Sequence, residues 1–157
     1  MITEIPFTLK GKIYRSPMPF SDMDLSKKLW KMYLKNNVNL VVCLAGKDEC
    51  FKNTGMNLIE FYKNQKMQVI HYPILDFQVP KDKKSFKEIL ENVIAVAEHG
   101  ENIAVHCYAG IGRTGLFLAC LAKLYYQLTG QEAIDCIRQT LPYAVENPKQ
   151  EEFIKKF

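Results

Sequence analysis

Cys107 and Arg113 frame the stretch Cys107-Tyr108-Ala109-Gly110-Ile111-Gly112-Arg113, and no other pair in the chain is better suited to chemistry. A thiolate is a strong nucleophile, and a guanidinium is a planar fork that fits two oxygens of a phosphoryl group. Two glycines lie between them, so the backbone can curl with its N–H groups turned toward an anion. A thiolate at the floor of such a cradle is placed for in-line attack on phosphorus while Arg113 holds the phosphoryl oxygens.

Elements on either side must hold that loop in place. Ile103-Ala104-Val105 is an apolar run that predicts a buried strand ending at His106. From Thr114 onward, TGLFLACLAKLYYQL predicts a helix whose free N–H groups add to the anion site and, with Arg113, favour the thiolate. Further strands are predicted over 11–15, 38–44 and 67–72. A helix is expected from Ser21 or Asp22 to about Asn36, with Leu25, Leu29, Trp30, Tyr33 and Leu34 at helical spacing. Residues 45–55 read as a polar loop, 56–64 as a short helix, and 73–80 as a loop bracketed by prolines. A helix beginning at Asp82 or Ser85 stops at Gly100, and the helix after the phosphate loop ends at Thr129-Gly130. Two more helices cover 131–141 and Pro148 to the end. Strands alternating with helices imply an α/β fold, a central mostly parallel sheet of about four to five strands flanked by helices, in one domain over 1–157. The phosphate loop then sits at the carboxyl end of its strand, where such sheets bind ligands.

Thiolate attack on a phosphate ester needs a proton donor for the leaving oxygen. Asp76, in the proline-bracketed loop just past a strand, is the candidate general acid; Asp82 suits a helix N-cap better. His106 is expected to orient the loop through a ring hydrogen bond. Cys43 reads either as a resolving thiol for oxidised Cys107 or as a buried core cysteine. Cys120 and Cys136 read as core, Cys50 as a loop thiol, His71 and His99 as structural. Arg15 and Arg138 read as structural ion-pair or surface residues.

The full string His106-Cys107-x-x-Gly110-x-Gly112-Arg113-Thr114-Gly115 resembles the signature of cysteine-dependent protein phosphatases, the tyrosine and dual-specificity superfamily. Compact dual-specificity members carry their acid in a loop similar to Ile74–Pro80. The resemblance implies that Tyr108, Ala109, Gly110, Ile111, Gly112 and Arg113 bind phosphate and that the Thr114 hydroxyl bonds the thiolate sulfur. Glu146 and Gln150 resemble the C-terminal E-x-x-x-Q-E segment of small atypical and Cdc14-like enzymes, implying an amide that holds the hydrolytic water and a glutamate that buttresses the site. Relatives also place a glutamate after the second strand to steady the arginine. Among Lys47, Asp48 and Glu49 the register is open, and a solvated turn is the expected structure.

Composition sets outer limits. With 157 residues, 48% of them apolar and 24% charged, the chain has globular values, and a net charge of +4 suits anionic substrates without indicating nucleic acid. Five cysteines, with no C-x-x-C pair and no metal-ligand spacing, point to free thiols in a reducing, cytoplasmic setting and to neither metal nor cofactor. The N-terminus lacks signal-peptide character, and no apolar run reaches membrane length. A monomer acting on phosphorylated protein is expected. The loop interior has no Lys or His, unlike that of many lipid- and inositol-phosphate relatives, and the chain is too short for the deep phosphotyrosine cleft of the large enzymes. Phosphotyrosine, with phosphoserine and phosphothreonine, would then fit. A phosphoinositide or RNA 5′-phosphatase, a rhodanese-type sulfurtransferase and a non-catalytic phosphate-binding module are the alternatives.

Overall fold

Five strands share one sheet in the computed structural model, which describes residues 1–157. In chain order the elements are β1 (Thr3–Ile5), β2 (Ile13–Ser16), α1 (Leu29–Lys35), β3 (Val38–Cys43), α2 (Lys47–Thr54), α3 (Leu58–Asn64) and β4 (Gln68–His71), followed by α4 (Lys83–Glu98), β5 (Asn102–His106), α5 (Gly112–Tyr126), α6 (Gly130–Thr140) and α7 (Pro148–Lys156). The strand order is β1-β2-β5-β3-β4, parallel throughout except for the antiparallel β1 edge. Parallel strands need crossover connections, and the intervening helices supply them on both faces. The expected α/β architecture is present.

Alternation along the strands divides the core in two. Leu40 and Val42 of β3 and Ile103 and Val105 of β5 pack against Phe86, Leu90 and Val93 of α4 and the apolar body of α5. Val41, Cys43 and Ala104 point the other way, toward Tyr33 of α1 and Leu58 and Tyr62 of α3. Residues 112–122 of α5 are all buried, so the helix that starts at the phosphate loop is enclosed on every side. Ser16, His106, Cys43 and His71 form one row across the carboxyl edge of the four parallel strands. No helix is long and apolar enough to cross a membrane.

Several expected elements differ. Strand β1 has no counterpart in the sequence reading: its three residues gain their order from pairing with β2. The helix expected over 22–36 is confined to Leu29–Lys35. The Asp24 carboxylate accepts from the N–H groups of Phe20, Lys28 and Leu29, folding 20–28 into turns and leaving Leu25 92% exposed. The polar loop expected over 45–55 contains α2, with Asp48 and Glu49 in its first turn and Gly55 as a left-handed C-cap at φ 73°. Thr129 does not end α5, which stops at Gln127; it begins α6 through a capping box with Glu132.

Candidate active site

Strand β5 delivers His106 and Cys107 to the sheet edge, and the chain turns through Tyr108–Ile111 into α5. The Gly110 N–H donates to Cys107 Sγ at 3.3 Å, so at least one loop amide faces the sulfur. Gly110 has φ 73°, and a Cβ there would stand 2.2 Å from the Ser16 carbonyl oxygen, so both the turn and the close approach require glycine.

The ring of His106 is fully committed. Nδ1 lies 2.9 Å from the Cys107 carbonyl, which can only accept, so Nδ1 carries the hydrogen and Nε2 accepts from the Tyr62 hydroxyl at 2.9 Å. Burial, with Arg113 nearby, pushes the His106 pKa down to about 4. The unfolded chain, with an ordinary histidine near 6.5, therefore binds a proton that the folded chain refuses between those two values. Stability from this group is complete above about pH 6.5 and lost as the pH falls toward 4, roughly 3 kcal/mol over the window. Urea unfolding at pH 7.5 and 4.5 should show that loss, and His106→Gln should lower the pH dependence by about the same amount.

Arg113 is 1% exposed. Its Nη1 donates to Glu49 Oε2 at 2.8 Å and to the Ile74 carbonyl at 2.9 Å, and Nη2 donates to Glu49 Oε1 at 2.7 Å. Glu49 is thus a bidentate partner on α2 and not part of a solvated turn; the next residue, Cys50, is buried with Cys43, Leu58 and Tyr62 and anchors α2 there. Burial opposes the guanidinium charge, but the Glu49 hydrogen bonds and the nearby Cys107 and carboxylates more than offset this, and the Arg113 pKa is raised. Arg113 Nε is buried without a partner, and so is Thr114 Oγ1. The Thr114 hydroxyl does not make the bond to sulfur that the resemblance implied. Two buried, unpartnered donors in the first turn of the helix that follows the inward amide are suited to an oxyanion.

Asp76 projects from the loop 73–80, half exposed, with Oδ1 3.2 Å from Arg113 Nη2. The structure therefore brings it to the same arginine as the thiol. The tip of this loop is tied to the start of α7: Asn147 Nδ2 donates to the Phe77 carbonyl at 3.0 Å, Gln150 Nε2 reaches the Gln78 carbonyl at 3.4 Å, and Lys149 bonds the Gln78 side chain. Gln150 Oε1 accepts from the Glu146 N–H at 3.0 Å. Both ends of the Gln150 amide thus meet backbone, so this buried side chain braces the loop that carries Asp76. Glu146 buttresses the loop, as a Cβ on Gly112 would stand 1.9 Å from its Oε1; burial and the neighbouring Asp76 raise its pKa.

Other assignments also move. Arg15 is buried and forms none of the ion pairs; it donates to the carbonyls of Gly110 and Ala109 at 2.9 and 3.0 Å. Its only sequence signal is a charge that follows Ile13 and Tyr14 in a short predicted strand. Arg138 pairs with Glu151 and holds the carbonyls of Ala144 and Val145. Cys50 is buried on α2, its sulfur 3.8 Å from that of Cys43, so Cys43 neighbours a thiol other than Cys107. Cys136 is half-buried, whereas Cys120 lies in the core. His71 and His99 bond the carbonyls of Ala45 and Ala95. No group of three or more His, Cys, Asp or Glu side chains could hold a metal ion. A cleft of about 1080 Å³ runs along the acid loop, lined in part by Lys47, Tyr72, Leu75, Val79, Lys81 and Lys149.

Comparison with known proteins agrees with this geometry. Residues 26–157 match the family described as dual specificity phosphatase, catalytic domain. Cyclin-dependent kinase inhibitor 3 of Rattus norvegicus is 32% identical over 119 residues, covering 74% of this chain and 55% of the relative. Dual specificity protein phosphatase CDC14C of Symphalangus syndactylus is 31% identical over 137 residues, covering 83% of this chain and 25% of the relative. The chain therefore spans about half of the first relative and a quarter of the second. Among solved structures, kinase associated phosphatase with its catalytic cysteine substituted by serine superposes with a TM-score of 0.87 at 22% identity, covering 100% of this chain and 93% of that one. Tk-PTP in its active form gives 0.77 at 27% identity, covering 93% and 90%.

Proposed function

The chain belongs to the dual specificity phosphatase catalytic-domain family, and we propose that it hydrolyses phosphate monoesters on proteins through a phosphocysteine intermediate. The observation that carries this reading is the Gly110 amide turned onto Cys107 Sγ, followed in the first turn of α5 by two buried donors without partners, Arg113 Nε and the Thr114 hydroxyl. Cys107 Sγ attacks phosphorus, the ester P–O bond breaks, and Asp76 gives its proton to the leaving oxygen. Water then attacks the phosphocysteine, Asp76 takes a proton from it, and the sulfur leaves as thiolate with the Thr114 hydroxyl beside it. The incoming phosphoryl oxygens take up Arg113 Nε and Nη2, which frees Asp76 from its contact with Nη2.

Phosphotyrosine is the favoured substrate, with phosphoserine and phosphothreonine admitted. The loop side chains Tyr108, Ala109 and Ile111 are uncharged, and Leu75 and Phe77 stand exposed beside Asp76, a rim suited to an aryl ester on a polypeptide. Five unpaired thiols support placing this chemistry in a reducing compartment such as the cytoplasm.

Phosphate release should be compared among phosphotyrosine, phosphoserine and phosphothreonine peptides, phosphoinositide vesicles and 5′-phosphorylated RNA, with a chelator present. Turnover of the peptides is expected. Asp76→Ala should lower kcat/KM on the phosphotyrosine peptide about 100-fold. Release from phosphoinositide or RNA alone would refute the protein-phosphatase reading.

A further inference from the structure

Four successive carbonyls of the phosphate loop have fixed partners. Cys107 O is held by His106 Nδ1 at 2.9 Å, and Tyr108 O accepts from the Met18 N–H at 2.8 Å. Ala109 O and Gly110 O accept from Arg15 Nη2 at 3.0 Å and Nε at 2.9 Å. Every peptide bond in the chain is trans, so each N–H points opposite to the carbonyl it shares a plane with. His106 of β5 holds the first of these oxygens and Met18 and Arg15, in and just after β2, hold the other three, so the N–H groups of Tyr108, Ala109, Gly110 and Ile111 point away from those partners. The Gly110 amide, which shares its peptide with Ala109 O, duly meets Cys107 Sγ.

We propose that Arg15 is the positioning residue of the phosphate loop: its planar fork locks two adjacent peptides so that their N–H groups face the bound phosphoryl group. This rests on the reading that the loop binds phosphate. A guanidinium can do it because Nε and Nη2 are parallel donors in one plane, matched to two successive carbonyls; an ammonium has no such pair. No carboxylate pairs with Arg15, although it is only 8% exposed. A buried cation without a counter-ion is costly, and here the loop carbonyls and the neighbouring Cys107 partner it. Its third contact, Nη1 to the Met1 carbonyl at 3.4 Å, is the longest.

The test is binding of inorganic phosphate by calorimetry, together with the phosphate-induced shift of the Gly110 amide in ¹H–¹⁵N spectra. Arg15→Met should weaken phosphate binding about tenfold or more and abolish the Gly110 shift. Arg15→Lys, which keeps the charge and protects against misfolding, should be nearly as defective. Ile13→Val, a core change in the same strand that lowers Tm without touching the loop, should keep both affinity and shift. Phosphate affinity within twofold of wild type in Arg15→Met, or full rescue by lysine, would overturn the proposal, the second by showing that charge alone suffices. Failure of the wild type to bind phosphate would instead remove the phosphate-loop reading beneath it.

Discussion

Cys107→Ser will end phosphate release, with kcat falling by about 10,000-fold or more, while the variant still binds a phosphotyrosine peptide. The reason lies in what surrounds position 107. A serine hydroxyl stays protonated at neutral pH and needs a base to take its proton. The adjacent imidazole is the one ring within reach by sequence, and both of its nitrogens are already engaged, one with the Cys107 carbonyl and one with Tyr62. The oxygen therefore has no activator, whereas sulfur is intrinsically a strong nucleophile and does not depend on a neighbouring base. The carbonyl partners of the loop are unchanged by the substitution, so its cradle persists. Phosphate release measured beside peptide affinity by calorimetry separates the two effects. Residual turnover above about 1% of wild type would contradict a phosphocysteine route.

Arg113→Lys is expected to lower kcat/KM about 1,000-fold, more than any single removal of a supporting group. Arg113 does two things at once: its Nη atoms hold Glu49 and the Ile74 carbonyl, while Nε and the Nη2 hydrogen that faces Asp76 remain for the substrate. Lysine carries one ammonium head on a flexible stem. If that head stays with Glu49 it no longer reaches a phosphoryl oxygen in two places, and if it turns to the substrate it leaves the Glu49 carboxylate and the Ile74 carbonyl without their partner. The same logic places Glu49→Gln at a milder loss of about tenfold, because the amide can still accept one hydrogen bond. Steady-state kinetics on one phosphotyrosine peptide gives both ratios. Arg113→Lys within tenfold of wild type would mean that charge, not the fork, does the binding.

The strand, loop and helix around Cys107 were legible because their signals are local: an apolar run, two glycines and an arginine within a dozen residues. The acid loop was legible for the same reason, as prolines at 73 and 80 bracket it and a strand precedes it. What escaped the sequence was decided by distant partners. Glu49 sits in a stretch whose composition fits a solvated turn, and only Arg113, from the far side of β5, gives it a buried counter-ion. Asp24 shortened α1 by offering its carboxylate to backbone N–H groups, a competition that residue spacing does not reveal. Gln150 lies at the start of α7, and the partners of its amide, the Glu146 N–H and the Gln78 carbonyl, are set by how the 73–80 loop meets that helix. Arg15 lies before residues 26–157, the part of the chain that matches the family, and its two acceptors come from the loop itself.

The pairing of β2 with β5 has a consequence for how the molecule comes into being. On a ribosome the β1–β2 hairpin emerges well before the strand that completes its open side, which begins only at Asn102. Until then β2 is an unpaired edge, a template for wrong pairing with other chains. The closing of the sheet's centre is a late, long-range event of the kind that slows folding. No nascent fragment ending before β5 can present the cradle, which forms only once β5, the loop and α5 have all been made.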